Sequence, residues 1–244
     1  LQVFEANPRI TADMKSDGTL LEETEISHSY PHCWRCKKPV IFRATEQWFV
    51  SMDKNGLRAK SREAIGRVRW IPEWGKERID GMVAGRPAWC ISRQRSWGVP
   101  IPAFTCKACG APYADARVCR HVACIFAAEG SNAWFVRDAA ALVPPGAACP
   151  ACGGKEFDKE FDILDVWFES GASQNVLERE SGHAWPSDVY IEGHDQHRGW
   201  FNSSLLIGVG AKGGSPFRTC ITHGFIIRII AIQDTNNLKL QIFS

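Results

Sequence analysis

The clearest alternation of apolar and polar residues lies between residues 186 and 209. Val189 to Ile191 are β-forming residues preceded by chain breakers, so this segment is predicted to be a strand. Gly193 permits a sharp turn, and Asp195 is a candidate N-cap for the next element. A helix is predicted from Arg198, because apolar residues then recur at helical spacing at Phe201, Leu205 and Val209.

This strand, turn and helix define a candidate site. Glu192, Asp195, Gln196 and Trp200 fall where the carboxyl end of the strand meets the beginning of the helix. In open α/β sheets ligands bind at that edge. Polar residues at such a turn can also simply cap the helix, so the residues alone leave both interpretations open.

Weaker patterns predict other elements. Val40 to Thr45 and Phe217 to Thr222 are predicted strands, and Gln47 to Val50 is a further short apolar segment. Leu57 to Trp70 has the amphipathic pattern of a helix that Pro72 stops. Its polar face carries three arginines: Arg58, Arg62 and Arg69. They form a solvated face or, alternatively, contacts for the phosphates of a nucleic acid.

Composition is that of an ordinary globular protein, with 45% hydrophobic and 23% charged residues in 244. This length suits one large domain or two modest ones. The net charge of +2 excludes a strongly electrostatic nucleic-acid binder but permits a local basic face. The most apolar stretch, Phe225 to Ile232, is too short for a bilayer, which needs about 20 residues. No membrane partner is expected.

Cysteine usage indicates metal binding. Six of the ten cysteines form three Cys-x-x-Cys pairs, and the chain begins without a secretory signal pattern. We therefore expect free thiols in the reducing cytoplasm and no disulfide framework.

Two of the pairs form a zinc-ribbon pattern. Each pair is followed by glycine, and four thiolates suit a closed, structural Zn²⁺ site made by Cys106, Cys109, Cys149 and Cys152. Cys119 and Cys124, in the loop between them, are interpreted as small hydrophobic residues.

The third pair, Cys33 and Cys36, supplies only two ligands. It is interpreted as half of a zinc knuckle, and the alternative is two reduced structural cysteines.

Several strings resemble one family. EGHDQHRGWFNSSLL, from Glu192 onward, resembles the segment of isoleucyl-tRNA synthetases that closes the aminoacyl-adenylate pocket. PHCWRC, SRQRSWGVPIP, DILDVWFESG and THGF resemble further motifs of that family, although Glu169 stands where the family has aspartate. The resemblance covers about residues 28 to 226.

The resemblance implies an α/β fold: the second half of a Rossmann-type class I synthetase catalytic domain, with an inserted zinc ribbon and the tail of the editing insertion. It divides the chain into an editing tail with the half knuckle, a connecting part of the catalytic body, the ribbon, the Rossmann half and a divergent tail. The corresponding ranges are 1–50, 51–104, 105–160, 161–228 and 229–244.

The resemblance also implies site roles. Glu192, Gly193, Asp195 and Gln196 would hold isoleucyl-adenylate, and Trp167 and Trp200 would line the isoleucine side-chain slot. Plain core packing is the alternative for Trp167. The ATP would lie near the strand end at His223 and Gly224. Arg93, Gln94, Arg95 and Trp97 would form a loop near the opening of the site, with packing as the alternative for Trp97.

The implied reaction is activation of isoleucine by ATP with Mg²⁺, followed by transfer to tRNA(Ile). The family's HIGH and KMSKS motifs are missing from the sequence, and Leu1 is not an initiator methionine. We therefore expect a fragment that needs the remainder of the synthetase, is inactive alone and exposes the apolar face of half a sheet. Two alternatives stay open: a stand-alone zinc-ribbon module that binds tRNA or a synthetase, and a truncated or frame-shifted gene product.

Overall fold

A computed structural model describes residues 2–33 and 35–224. The chain divides into two compact units, Leu1–Glu46 and Gln47–Ser244. Within the described ranges no helix has the length and apolar character needed to cross a membrane. The predicted divergent tail at 229–244 lies outside the described residues, as does Trp34 of the first cysteine pair.

The first unit contains one helix, α1 (Val3–Ser16), in its described part. The sequence analysis missed this helix. The strand predicted at Val40 to Thr45 is wrong: those residues form no strand, and Phe42 is 81% exposed. Pairing nearby is limited to an isolated bridge between His32 and Pro39, so the β-forming residues have no ladder to join.

The second unit is built around a three-stranded parallel sheet. Its strand order is β2 (Arg69–Ile71), β10 (Phe217–His223) and β9 (Ser187–Gly193). Between β9 and β10 the chain forms helix α9 (Trp200–Lys212), which makes a βαβ unit. These elements confirm the predicted strands at 189–191 and 217–222 and the predicted helix after residue 198.

One face of this sheet forms the main core. Alternate residues of the three strands, among them Trp70, Tyr190 and Cys220, are buried with the apolar side of α9. On the opposite face Ile71, Val189 and Ile191 are 37%, 45% and 56% exposed. The described part of the chain thus leaves one face of the sheet uncovered, as expected for half of a layered α/β domain.

The helix predicted over Leu57 to Trp70 is too long. Helix α2 (Leu57–Arg67) ends before Trp70, which lies in β2, where its indole Nε1 donates 3.1 Å to the Ile65 carbonyl. Pairing with β10 and burial of the indole override the local helical pattern.

The arginines of α2 are structural. Arg58 donates to the carbonyls of Val83, Ala84 and Arg86 and so caps the end of helix α3 (Trp74–Ala84). Arg62 pairs with Asp80 of the same helix at 2.8 Å. These two side chains are therefore already engaged within the unit, which leaves Arg69 alone on the exposed side of β2.

The segment between β4 and β8 folds as a module with its own core. Its antiparallel sheet has the order β6 (Pro112–Tyr113), β5 (Phe104–Cys106) and β7 (Phe157–Lys159). This sheet packs with Val118, Trp134 and Leu142, which lie on the helices between β6 and β7. Cys119 and Cys124 are exposed on helix α4, so their interpretation as small hydrophobic residues is wrong. The amphipathic α4 turns its valines inward and these thiols outward.

The remaining elements of the second unit are, in chain order, β1 (Phe49–Val50), α2 (Leu57–Arg67), α3 (Trp74–Ala84), β3 (Trp89–Cys90), β4 (Ser92–Arg93), β5 (Phe104–Cys106), β6 (Pro112–Tyr113), α4 (Ala116–Glu129), α5 (Ala133–Val136), α6 (Ala139–Leu142), β7 (Phe157–Lys159), β8 (Ile163–Leu164), α7 (Val166–Gly171) and α8 (Ser173–Ser181).

Candidate functional site

The turn after β9 presents the predicted polar residues. Glu192 and Gly193 end the strand, and a 3₁₀ turn, His194–His197, carries Asp195 and Gln196. Asp195 is not the N-cap of α9. Instead the Gln196 side-chain oxygen accepts 2.8 Å from the Trp200 backbone N–H, because the 3₁₀ turn separates Asp195 from the helix.

Asp195 stays available for other partners. Its carboxylate is exposed, and it accepts one hydrogen bond of 3.3 Å from the Gln196 amide. A Cβ on Gly193 would lie 2.8 Å from Asp195 Oδ1, so the carboxylate can fold back over the strand end only because residue 193 is glycine.

The end of β10 lies beside this turn. His223 is the register partner of Gly193, and Thr222 is that of Glu192. The parallel pairing therefore brings His223 and Gly224 to the same carboxyl edge as the 192–196 turn. Both residues are exposed there.

Trp200 forms one wall near the turn. Its ring stacks on Tyr190 with centroids 4.1 Å apart and 6° between planes. The indole Nε1 donates to the Ser170 carbonyl at 3.0 Å, which fixes the ring's orientation. The sequence analysis missed the role of Tyr190, because a position in the middle of a strand indicates only that the residue is buried.

Trp167 forms a second wall. A Cβ on Gly199 would lie 3.0 Å from two atoms of the Trp167 ring, so the indole rests on the glycine backbone. The ring is 43% exposed and lines a cleft of about 400 Å³, which excludes plain core packing for Trp167. Both predicted tryptophans thus flank the 196–199 turn.

A buried carboxylate holds the Trp167 helix in place. Asp165 caps α7 through the Trp167 backbone N–H at 3.3 Å and accepts 2.9 Å from the Trp89 indole. Arg93 lies 3.1 Å from the same carboxylate. Asp165 is only 3% exposed, and these partners neutralise and satisfy it.

The rest of the loop after Arg93 is less engaged. Gln94 donates 2.7 Å to Asp162, whereas Trp97 is 93% exposed. Packing is therefore excluded as the role of Trp97 within the described residues.

The four ribbon cysteines meet in one cluster. The Sγ atoms of Cys106, Cys109, Cys149 and Cys152 all lie within 4.8 Å of one another. Two cross pairs are 3.6 and 3.7 Å apart, and a tetrahedral site with bonds of about 2.3 Å has edges of about 3.8 Å. A hydrogen bond from the Ala151 backbone lowers the pKa of Cys149 to about 7. A backbone hydrogen bond from Ala111 lowers the pKa of Cys109, but contacts with the other three thiols and burial outweigh it and raise that pKa to about 12. The residues present therefore fit a closed four-thiolate metal centre.

The pair at Cys33 and Cys36 has the same backbone turn as the ribbon pairs. In each, the first cysteine's N–H donates to the carbonyl five residues on, at 2.8, 2.9 and 2.8 Å for Cys33, Cys106 and Cys149. The carbonyl of that first cysteine accepts a hydrogen bond from the backbone N–H four residues on. The residue at that position has a positive φ in all three pairs: Lys37, Gly110 and Gly153. Cys33 and Cys36 belong to no cluster of three or more ligands in the described ranges.

A family model decides the wider assignment. The model for tRNA synthetases class I (I, L, M and V) matches residues 5–229. The chain belongs to the class I tRNA synthetase family.

Among relatives, this class I chain is similar to proteins named isoleucine--tRNA ligase. That of Geobacter sulfurreducens is 55% identical over 226 residues, 92% of this chain and 24% of the relative. That of Syntrophotalea carbinolica is 54% identical over 228 residues, 93% of this chain and 25% of the relative. The chain therefore spans about a quarter of the length of the curated relatives it matches.

One solved structure, a ternary complex of Agrobacterium radiobacter K84 LeuRS with tRNA and LeuAMS, is 22% identical. The match covers 57% of this chain and 20% of that chain, with a TM-score of 0.34.

Within this class I chain, His197 is a site residue that sequence reasoning missed. It is fully buried between Trp70 and Trp74, and its Nδ1 donates 2.9 Å to the His194 carbonyl. Burial lowers the pKa of His197, and the charge of Arg78 lowers it further. His197 therefore supports the turn as a neutral side chain, a role that no local sequence signal indicates.

Proposed function

We propose that this chain is part of an isoleucine--tRNA ligase and carries the isoleucyl-adenylate site of that enzyme. The observation that carries the proposal is the meeting of Glu192, Asp195 and His223 at one edge of the parallel strands, with Trp167 and Trp200 beside them. Identity of 52–55% to ligases of that name supports isoleucine as the amino acid.

The site would act by positioning. Isoleucine's carboxylate attacks the α-phosphate of ATP and pyrophosphate leaves; the ribose hydroxyl of tRNA(Ile) then attacks the acyl carbon and AMP leaves. Mg²⁺ bound to ATP would neutralise charge on the phosphates. A carboxylate such as Asp195 accepts hydrogen bonds from ribose hydroxyls, which a fixed turn makes favourable. Glu192, Gly193 and Gln196 hold the rest of the adenylate, and His223 and Gly224 lie beside the ATP.

Two indoles would bound the isoleucine side chain. Trp200 is fixed by Tyr190 and Ser170, and Trp167 by Gly199 and the capped helix α7. Flat, rigid rings at fixed positions form an apolar slot at low entropic cost.

The cysteine cluster would hold structural Zn²⁺ through Cys106, Cys109, Cys149 and Cys152. Zn²⁺ there ties the two ends of the ribbon module together and leaves no open position for chemistry. Cys33 and Cys36 would supply half of a second Zn²⁺ site, completed by thiols of the remainder of the enzyme.

The motif content implies that the 244-residue chain does not form isoleucyl-adenylate alone, since it has neither the HIGH nor the KMSKS sequence. The enzyme would work in the cytoplasm with that remainder. A stand-alone tRNA-binding module is not favoured, because the family match runs through nearly the whole chain.

A chimera tests the proposal. The matching quarter of the Geobacter sulfurreducens ligase is replaced by this chain, and isoleucine-dependent ATP–pyrophosphate exchange is measured. Exchange is expected in the chimera and not in the isolated chain. Asp195→Asn should lower the chimera's kcat/KM about 10- to 100-fold, because the substitution removes charge-assisted hydrogen bonds to the ribose.

Asp188→Asn is the matched control, because Asp188 lies at the other end of β9 and pairs on the surface with Arg218. Equal effects of the two substitutions would reject the assignment of the site.

A further inference from the structure

A second cleft, of about 500 Å³, adjoins the cleft that Trp167 lines. Arg78, Arg86, Arg198 and Asn202 line it, and Gly81 and Gly85 form part of its wall. It shares Arg86 and Arg198 with the cleft that holds Trp167. Neither the isoleucyl-adenylate role nor the metal cluster uses this space.

The charged side chains that line the cleft are all positive. Three guanidinium groups line it, and no carboxylate of the described residues does. Arg78 and Arg198 are exposed and make no ion pair in the described part of the chain; Arg78 lies 6.0 Å from the Trp74 ring centroid. Unpaired guanidinium groups in one concavity attract an anion.

The inner wall is built from buried donors. Arg86 is half-buried over the Trp89 ring, and its Nη1 donates 3.0 Å to Asn202 Oδ1. Asn202 is 1% exposed. Its Nδ2 and Arg86 Nε find no acceptor among the described residues, whereas buried donors normally have one.

The positive charge of Arg86 is only partly compensated by neighbouring carboxylates. Burial lowers the pKa of Arg86, and the charge of Asp165 opposes that effect from the neighbouring cleft. Asp165 itself is already bound to Arg93 and Trp89. The cleft thus retains a surplus of positive charge and of hydrogen-bond donors, and planar guanidinium groups match tetrahedral oxyanions well.

We propose that this cleft binds a phosphate group, held between Arg78 and Arg198 at its mouth with Arg86 and Asn202 behind. The inference does not depend on the ligase assignment. The phosphate group is either a free anion or a phosphodiester of an RNA strand, and the two sources share this chemistry.

The test measures binding of two probes to the purified chain. Inorganic pyrophosphate is titrated by calorimetry, and a fluorescein-labelled RNA hairpin by anisotropy at two salt concentrations. The variant is the double substitution Arg78→Gln with Arg198→Gln. The matched control is Arg120→Gln with Arg179→Gln, which removes the same charge at exposed positions that do not line the cleft. Equal thermal midpoints of the two double variants establish that both are folded.

Weakening of pyrophosphate binding by tenfold or more in the cleft variant, and less than twofold in the control, supports a free-anion site. If only RNA binding is weakened tenfold or more in the cleft variant and less than twofold in the control, the ligand is a phosphodiester. In that case the slope of log K against log salt concentration should fall by about two in the cleft variant. Absence of binding by both probes, or equal weakening in both double variants, overturns the proposal.

Discussion

The ribbon module and the parallel-sheet region share one unit but are organised in different ways. The ribbon has its own core and brings its four clustered cysteines from two short turns. The sheet region assembles its site from β9, β10, α7 and the 3₁₀ turn, and leaves one sheet face exposed. A site made of local turns can be predicted from residue spacing. A site at a sheet edge cannot, because it depends on which strands become neighbours.

The largest expected effect separates the two regions by their metal dependence. Cys149→Ser should remove bound Zn²⁺ and unfold the ribbon, because the cluster joins ends of the module that are 43 residues apart in sequence, from Cys106 to Cys149. Zinc content by mass spectrometry and near-ultraviolet circular dichroism provide the measurement.

Cys124→Ser is the control, since that exposed thiol on α4 lies outside the cluster. If Cys149→Ser kept a full zinc equivalent and a native spectrum, the four-thiolate centre would be wrong.

The next largest effect is a loss of stability in the sheet region that leaves the ribbon folded. Phe201 is fully buried between β10 and His197, and Phe201→Ala should lower the free energy of unfolding by about 3–5 kcal/mol. Urea denaturation measures the change, and zinc content should stay at the wild-type value. Parallel loss of zinc would show that the two cores do not behave separately.

A smaller effect concerns pH. His197 has its pKa lowered by burial, so the unfolded chain binds more protons than the folded one below about pH 6.5. Stability should therefore be complete above that pH and fall as the pH decreases, by at most about 1.4 kcal/mol per pH unit.

Denaturant titrations at pH 7.5 and 5.5 measure this effect. His197→Gln should flatten the dependence, and His183→Gln, an exposed control, should not. An identical dependence in the wild type and His197→Gln would contradict the neutral, buried state of His197.

The two regions also differ in how far sequence predicts them. Cys-x-x-Cys-Gly spacing predicted which four cysteines form the cluster, because each pair and its turn are local in sequence. The β9 strand and α9 helix were likewise predictable from periodicity. Trp70 was not, since its strand state depends on pairing with β10 more than a hundred residues away.

Site details follow the same rule. The approach of Trp167 to Gly199 and the capping role of Gln196 arise from tertiary packing. Tertiary packing of this kind cannot be predicted from the local pattern of apolar and polar residues. The family resemblance pointed to Trp167 and Trp200, but the residues that fix their rings, Asp165 and Tyr190, emerged only with the fold.

The most direct measurement is binding of a non-hydrolysable isoleucyl-adenylate analogue to the chimeric ligase, compared with the leucyl analogue. The account predicts preferential binding of the isoleucyl form, weakened tenfold or more by Glu192→Gln. Unchanged affinity in that variant, or equal binding of the two analogues, would contradict the placement of the isoleucyl-adenylate site on this chain.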